Sequence, residues 1–202
     1  MADHYPQLQF EDAAGWEAWL IENAGASDGL TGVQLRIAKK GSAHRTISHA
    51  EALDVALCHG WIDAIRRSLD DDFFLQTFTA RRPKSLWSQV NRVKVAALIE
   101  AGRMREGGHR EIELAKADGR WDAAYASQRT IEVTPELAAA LEASPEAAAF
   151  FATLSSQNRY AILFRIHNAK RPETKTRLVA QFVDMLARHE TVYPQKPPRP
   201  AP

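Results

Sequence analysis

Residues 79–94 read TARRPKSLWSQVNRVK and hold a dense set of side chains suited to chemistry. Arg81, Arg82 and Lys84 are cations, Ser85 and Ser88 carry hydroxyls, Asn91 carries an amide, and Trp87 offers a large π-face. They form a loop that feeds a helix. Free backbone N–H groups at a helix start favour phosphate or carboxylate. Guanidinium forks grip such groups bidentately, and a tryptophan can stack on a base or ring. The same residues have an architectural reading. Ser85 or Ser88 caps the helix, Trp87 enters the core, and the arginines pair with Asp70, Asp71 and Asp72 on the preceding turn. No GxxxxGK[ST] sequence is present, so a P-loop is not predicted.

A second basic cluster surrounds Pro172. Lys170 and Arg171 immediately precede an expected helix start, and Thr174 and Arg177 fall in its first turns. Cations there oppose the helix dipole. They call either for an outside anion or for acidic neighbours such as Glu142 and Glu146. A third constellation is Cys58-His59-Gly60-Trp61-Ile62-Asp63. Adjacent side chains on a helix diverge by roughly 100°, so Cys58 reads as a small buried hydrophobe rather than a nucleophile. Asp63 falls within an expected strand, where carboxylates are disfavoured. It either pairs with Arg81 or Arg82 or serves as a catalytic acid/base. The histidines show no HExxH spacing and there is one cysteine, so no metal site is predicted. Gly102, Gly107 and Gly108 follow a helix rather than a strand, which argues against a dinucleotide fingerprint. No cofactor is expected.

These groups must be positioned by surrounding elements. Trp16, Trp19 and Leu20 give residues 11–23 a helical period, and Ser27, Asp28 and Gly29 signal a turn. Val33, Leu35 and Ile37 alternate as in a strand. Ser48-His-Ala-Glu51 is a capping box before a helix that Gly60 stops. Residues 61–67 and 73–79 are rich in aromatic and β-branched types and flank Asp70, Asp71 and Asp72, which predicts a hairpin. A helix is expected over 89–101, with Val90, Val93, Ala97 and Leu98 on one stripe. Thr134-Pro135 and Ser144-Pro145 are N-cap and first-turn pairs. Residues 158–168 and a long segment after Pro172 are also helical, with Glu173 and Arg177 spaced to pair. The expected fold class is α+β. Residues 1–128 form a small antiparallel sheet with packed helices, 129–192 an all-helical domain, and 193–202 an extended or disordered proline-rich tail.

The chain has 202 residues, and its 26 basic and 25 acidic side chains leave a formal charge of +1. That excludes a uniformly basic binder and a polyelectrolyte. A single cysteine excludes an internal disulfide scaffold. The near-neutral total conceals a net charge of +6 over residues 79–110 and +5 over 157–188, with acidic stretches between. Either the acidic stretches neutralise the basic ones in the fold, or the basic ones converge on an anionic ligand. The N-terminus lacks the basic and apolar regions of a secretory signal and no stretch is long enough to span a bilayer, so a cytoplasmic protein is expected.

Several segments stand out as motifs: ALCHGWID at 56–63, FTARRPKSLWS at 78–88, GRM at 102–104, DGRWDAAY at 118–125 and AKRPET at 169–174. On these the chain resembles the YdeI/OmpD-associated, or bacteriocin-protection, family, up to about Tyr193. The resemblance implies a link to antimicrobial-peptide resistance and to an outer-membrane porin. It supplies no catalytic residues. Ala80 and Lys175 stand where the family usually has Pro and Arg. The leading expectation is a stress-protection protein that binds a phosphate-bearing small molecule or nucleic acid. Its binding residues would be Arg81, Arg82, Lys84, Ser85, Trp87, Ser88, Asn91, Lys170, Arg171 and Arg177. The alternatives are an enzyme using Asp63 on an anionic substrate, and an interaction module for an acidic protein partner.

Overall fold

The computed structural model describes residues 5–23 and 31–195. The turn expected at 27–29 and most of the proline-rich tail lie outside the described residues. The chain divides into two compact units, Met1–Ala124 and Tyr125–Pro202.

Among the described residues the first unit is a four-stranded sheet with helices. Its strands are β1 (Gln7–Leu8), β2 (Gly32–Ala38), β3 (Trp61–Ser68) and β4 (Phe73–Ala80), in the order β1-β2-β4-β3. The expected hairpin is present: β3 and β4 pair antiparallel, and β4 also pairs antiparallel with β2. β1 adds a short parallel edge that the sequence reading did not contain. The hairpin turn is built by Asp70, whose Oδ1 accepts from the N–H groups of Asp72 at 2.9 Å and Phe73 at 2.7 Å.

Val33, Leu35 and Ile37 of β2, Phe78 of β4 and Trp61 of β3 face the helices α1 (Ala13–Asn23) and α2 (His49–Cys58). Trp16 and Leu20 of α1 are fully buried in this layer, and the Trp16 indole donates to the Ala52 carbonyl at 3.1 Å. The Ser48 capping box forms as expected, and Gly60 (φ +78°) ends α2. Cys58 is buried, and burial pushes its thiol pKa up.

Two further helices follow in this unit, α3 (Gln89–Glu100) and α4 (Glu106–Ala117). The rotation of α3 corrects the expected stripe. Asn91, Val95 and Leu98 are buried, whereas Val90 is 48% and Val93 71% exposed. This rotation brings together an ion pair with a neighbouring helix, and a local cap starts α3. The Ser88 hydroxyl accepts from Asn91 N–H at 3.1 Å, and Lys94 reaches Asp54 of α2 at 2.7 Å.

The second unit is helical, with α5 (Pro135–Glu142), α6 (Pro145–Thr153), α7 (Ser156–His167) and α8 (Pro172–Ala187) around Leu137, Phe151, Ile162, Ile166, Phe182 and Leu186. The Thr134 hydroxyl caps α5 by accepting from Leu137 N–H at 3.3 Å. Ser144 holds the corresponding position before α6 but makes no side-chain cap bond. The start of the tail is fastened: buried Asn158 accepts from Tyr193 N–H at 2.8 Å and donates to the Tyr193 carbonyl at 3.0 Å.

Candidate anion-binding site

The loop between β4 and α3 is held at several points. Arg81 N–H donates to the Gly60 carbonyl at 3.1 Å, joining the loop to the end of α2. The Arg81 side chain is 7% exposed, and its guanidinium lies 3.6 Å from the centre of the Trp87 ring. Its Nη1 donates to the Leu86 carbonyl at 3.3 Å. Trp87 is 2% exposed and meets Trp121 edge to face, with ring centres 4.9 Å apart. Ser85 closes a turn: its hydroxyl accepts from Arg82 N–H at 3.0 Å and its N–H donates to the Arg82 carbonyl at 2.9 Å.

A second segment braces this loop from below. Arg120 is 9% exposed, and its Nη1 donates to the Ser85 carbonyl at 2.9 Å while Asp118 holds its Nε at 2.7 Å. Arg92 of α3 donates to the Trp121 carbonyl at 2.9 Å, with its guanidinium over the Trp121 ring. The motifs at 81–88 and 118–121 therefore dock on each other. The sequence reading assigned no role to Arg120 or Trp121, although the DGRW motif at 118–121 was the signal that could have found them.

The expected site residues thus sort by position. Arg81, Trp87, Ser88 and Asn91 are buried and shape the loop or start α3. Trp87 has no ring face available for stacking on a ligand. Arg82 and Lys84 are exposed, with Ser85 half-buried between them and the brace. Among the described residues neither Arg82 nor Lys84 makes a side-chain hydrogen bond or ion pair. Asp70 is engaged in its own turn, and Asp72 lies 3.9 Å from His44.

In the second unit Lys170, Arg171 and Arg177 are exposed around the start of α8. They too lack an acidic partner among the described residues. The neighbouring Lys175 is bound to Glu136 at 2.6 Å, and Glu146 lies 3.6 Å from His189. The spacing of Glu173 and Arg177 does not produce an ion pair.

Asp63 is placed away from the basic loop. Its Oδ2 lies 3.1 Å from His49 Nε2 at the start of α2, on the helix-facing side of the sheet. Ile62 and Ala64, its neighbours in β3, line the opposite face beside Arg82. Alternation along a strand separates the carboxylate from the cation that the enzyme reading would pair with it.

Residues 8–111 match a family model described as a domain of unknown function, DUF8412. The chain belongs to the DUF8412 family. Residues 130–189 match a second model, OmdA, described as "Bacteriocin-protection, YdeI or OmpD-Associated". The YdeI/OmpD-associated resemblance therefore holds over that part of the chain. No curated protein and no solved structure matches it. The DUF8412 match contains the loop with Arg82 and Lys84, and the YdeI/OmpD-associated match contains Lys170, Arg171 and Arg177. The bracing residues Arg120 and Trp121 lie between the two matched ranges. No described helix is long and apolar enough to cross a membrane.

Proposed function

We propose that this protein binds a phosphate-bearing ligand through the loop that presents Arg82 and Lys84. The observation that carries the reading is the contrast between a braced loop and its unpaired cations. Arg105, Lys94, Lys175 and Arg188 all have carboxylate partners. Arg82 and Lys84 have none among the described residues, although Arg81 and Arg120 hold the backbone beneath them in one shape. A preorganised cation loop binds an anion with little ordering cost. Lys170, Arg171 and Arg177 form a second set of cations available to an anion. The cytoplasmic location and the protective role associated with the YdeI/OmpD-associated description belong to this proposal.

Thermal unfolding with inorganic phosphate, pyrophosphate and a single-stranded oligonucleotide tests it. A ligand at 100 times its Kd stabilises by about 2.7 kcal/mol. That stabilisation should disappear in an Arg82→Ala/Lys84→Ala variant that unfolds normally without ligand. Oligonucleotide binding should also weaken steeply with salt. No shift with any of these ligands, or a full shift in the double variant, overturns the proposal.

A further inference from the structure

Arg82 and Ser85 stand at the rim of a groove on the sheet face opposite α1 and α2. The groove has a volume of about 360 Å³. Ile62, Thr77 and Thr79 line it from the paired strands, Tyr5 forms one wall, and Ala64 and Ile65 form another. Among the described residues Arg82 is the one charged residue in this lining.

Two features build the groove. A regular strand sends consecutive side chains to opposite faces, yet Ala64 and Ile65 both line this one. The register shift between Asp63 and Arg66 makes that possible. Gln76 serves the irregular segment, donating from Nε2 to the Ala64 carbonyl at 3.3 Å while its Oε1 accepts from Arg66 Nε at 3.0 Å. On the other side, Gly32 lets the Tyr5 ring lie against β2. A Cβ at this position would meet Tyr5 Cζ at 2.7 Å and Thr79 Cγ2 at 2.9 Å. A strand irregularity and a glycine contact thus shape an apolar slot that ends at Arg82.

We infer that the groove takes a small amphipathic anion: its acidic group meets Arg82 and Ser85, and an aromatic or branched aliphatic body lies between Tyr5 and Ile65. This rests on the anion-binding reading and adds the ligand class. Apolar walls contribute binding in proportion to the area they bury, while one guanidinium and one hydroxyl orient the acidic end. Inorganic phosphate would fill only the rim.

Calorimetric titration of the full chain with inorganic phosphate, 1-naphthyl phosphate and 1-naphthoate tests the inference. 1-Naphthyl phosphate should bind at least tenfold more tightly than inorganic phosphate. Ala64→Trp, at an exposed position, fills the slot, and Tyr5→Ala removes a wall. Each should abolish the tenfold advantage while phosphate binding at the rim persists. Arg82→Ala should weaken both phosphates. Equal affinity for the two phosphates overturns this inference and leaves the phosphate-binding proposal standing. Arg82-dependent binding of naphthoate without either phosphate does the reverse. Undiminished naphthyl phosphate binding in Ala64→Trp overturns the assignment to this groove.

Discussion

The guanidinium of Arg81 lies 3.6 Å from the centre of the Trp87 ring, with both residues buried. A cation–π contact of this kind, shielded from water, is worth about 2 kcal/mol or more. It pulls the first and last parts of the RRPKSLW segment together. The residues between them, including Arg82 and Lys84, are forced outward. A motif that reads as uniformly basic is therefore divided into a buried clasp and an exposed presenting tip.

Removing the clasp should cost stability. Trp87→Ala is expected to lower the free energy of unfolding by about 3–5 kcal/mol, as for other large buried aromatics. Arg81→Lys retains the charge but loses the planar stack and the fork, and should cost about 1–2 kcal/mol, in the range of a cation–π contact. Urea denaturation of the two variants checks both values.

Arg120 acts on the loop from a distance of 35 residues in sequence. Arg120→Ala leaves the Ser85 carbonyl without this donor and Asp118 without this cation. A loss of about 1–3 kcal/mol is expected for such hydrogen bonds. Amide exchange at residues 82–86 should accelerate, and phosphate affinity should fall although Arg120 is not placed in the groove lining. Hydrogen exchange and calorimetry on the same variant read the two effects.

The Ser48 capping box predicts a separate, local effect. The hydroxyl accepts from Glu51 N–H at 3.2 Å, and Glu51 accepts from Ser48 N–H at 3.0 Å. Ser48→Ala should cost about 1 kcal/mol. It should leave ligand binding untouched, because α2 lies on the other side of the sheet from the groove. A thermal melt combined with a phosphate titration separates the two.

Acid should destabilise the first unit in two steps. His59 is buried at the end of α2, and burial holds its pKa below the ordinary 6.5 despite the Glu17 carboxylate 3.7 Å away. The unfolded chain then binds the proton more readily, so stability is full above pH 6.5 and falls as the pH drops toward the lower folded value. Glu17 accepts from Arg105 at 2.6 Å and 3.0 Å, which holds its carboxyl pKa below the ordinary 4.5. Its contribution is present above pH 4.5 and is lost as the pH falls through the folded value. In urea midpoints measured from pH 8 to pH 3, His59→Gln should flatten the upper step and Glu17→Gln the lower one.

The amino-acid sequence by itself determined whatever depends on near neighbours. The capping box at Ser48, the stop at Gly60, the hairpin around Asp70 and the proline-led starts of α5, α6 and α8 follow from local backbone preferences and hydrogen bonds. The inert burial of Cys58 also followed from its place on a helix end. The tertiary structure decided everything that depends on which distant groups meet. It turned α3 so that Asn91 faces in and Val93 out, with Lys94 held by Asp54 of α2, against the apolar stripe that local periodicity alone favours. It gave Asp63 to His49 rather than to an arginine, because strand alternation puts Asp63 and the groove on opposite faces. It also separated Arg81 from Arg82, which are adjacent and chemically identical in sequence. One is buried against a tryptophan and the other is left in solvent, since consecutive side chains of an extended segment point to opposite sides.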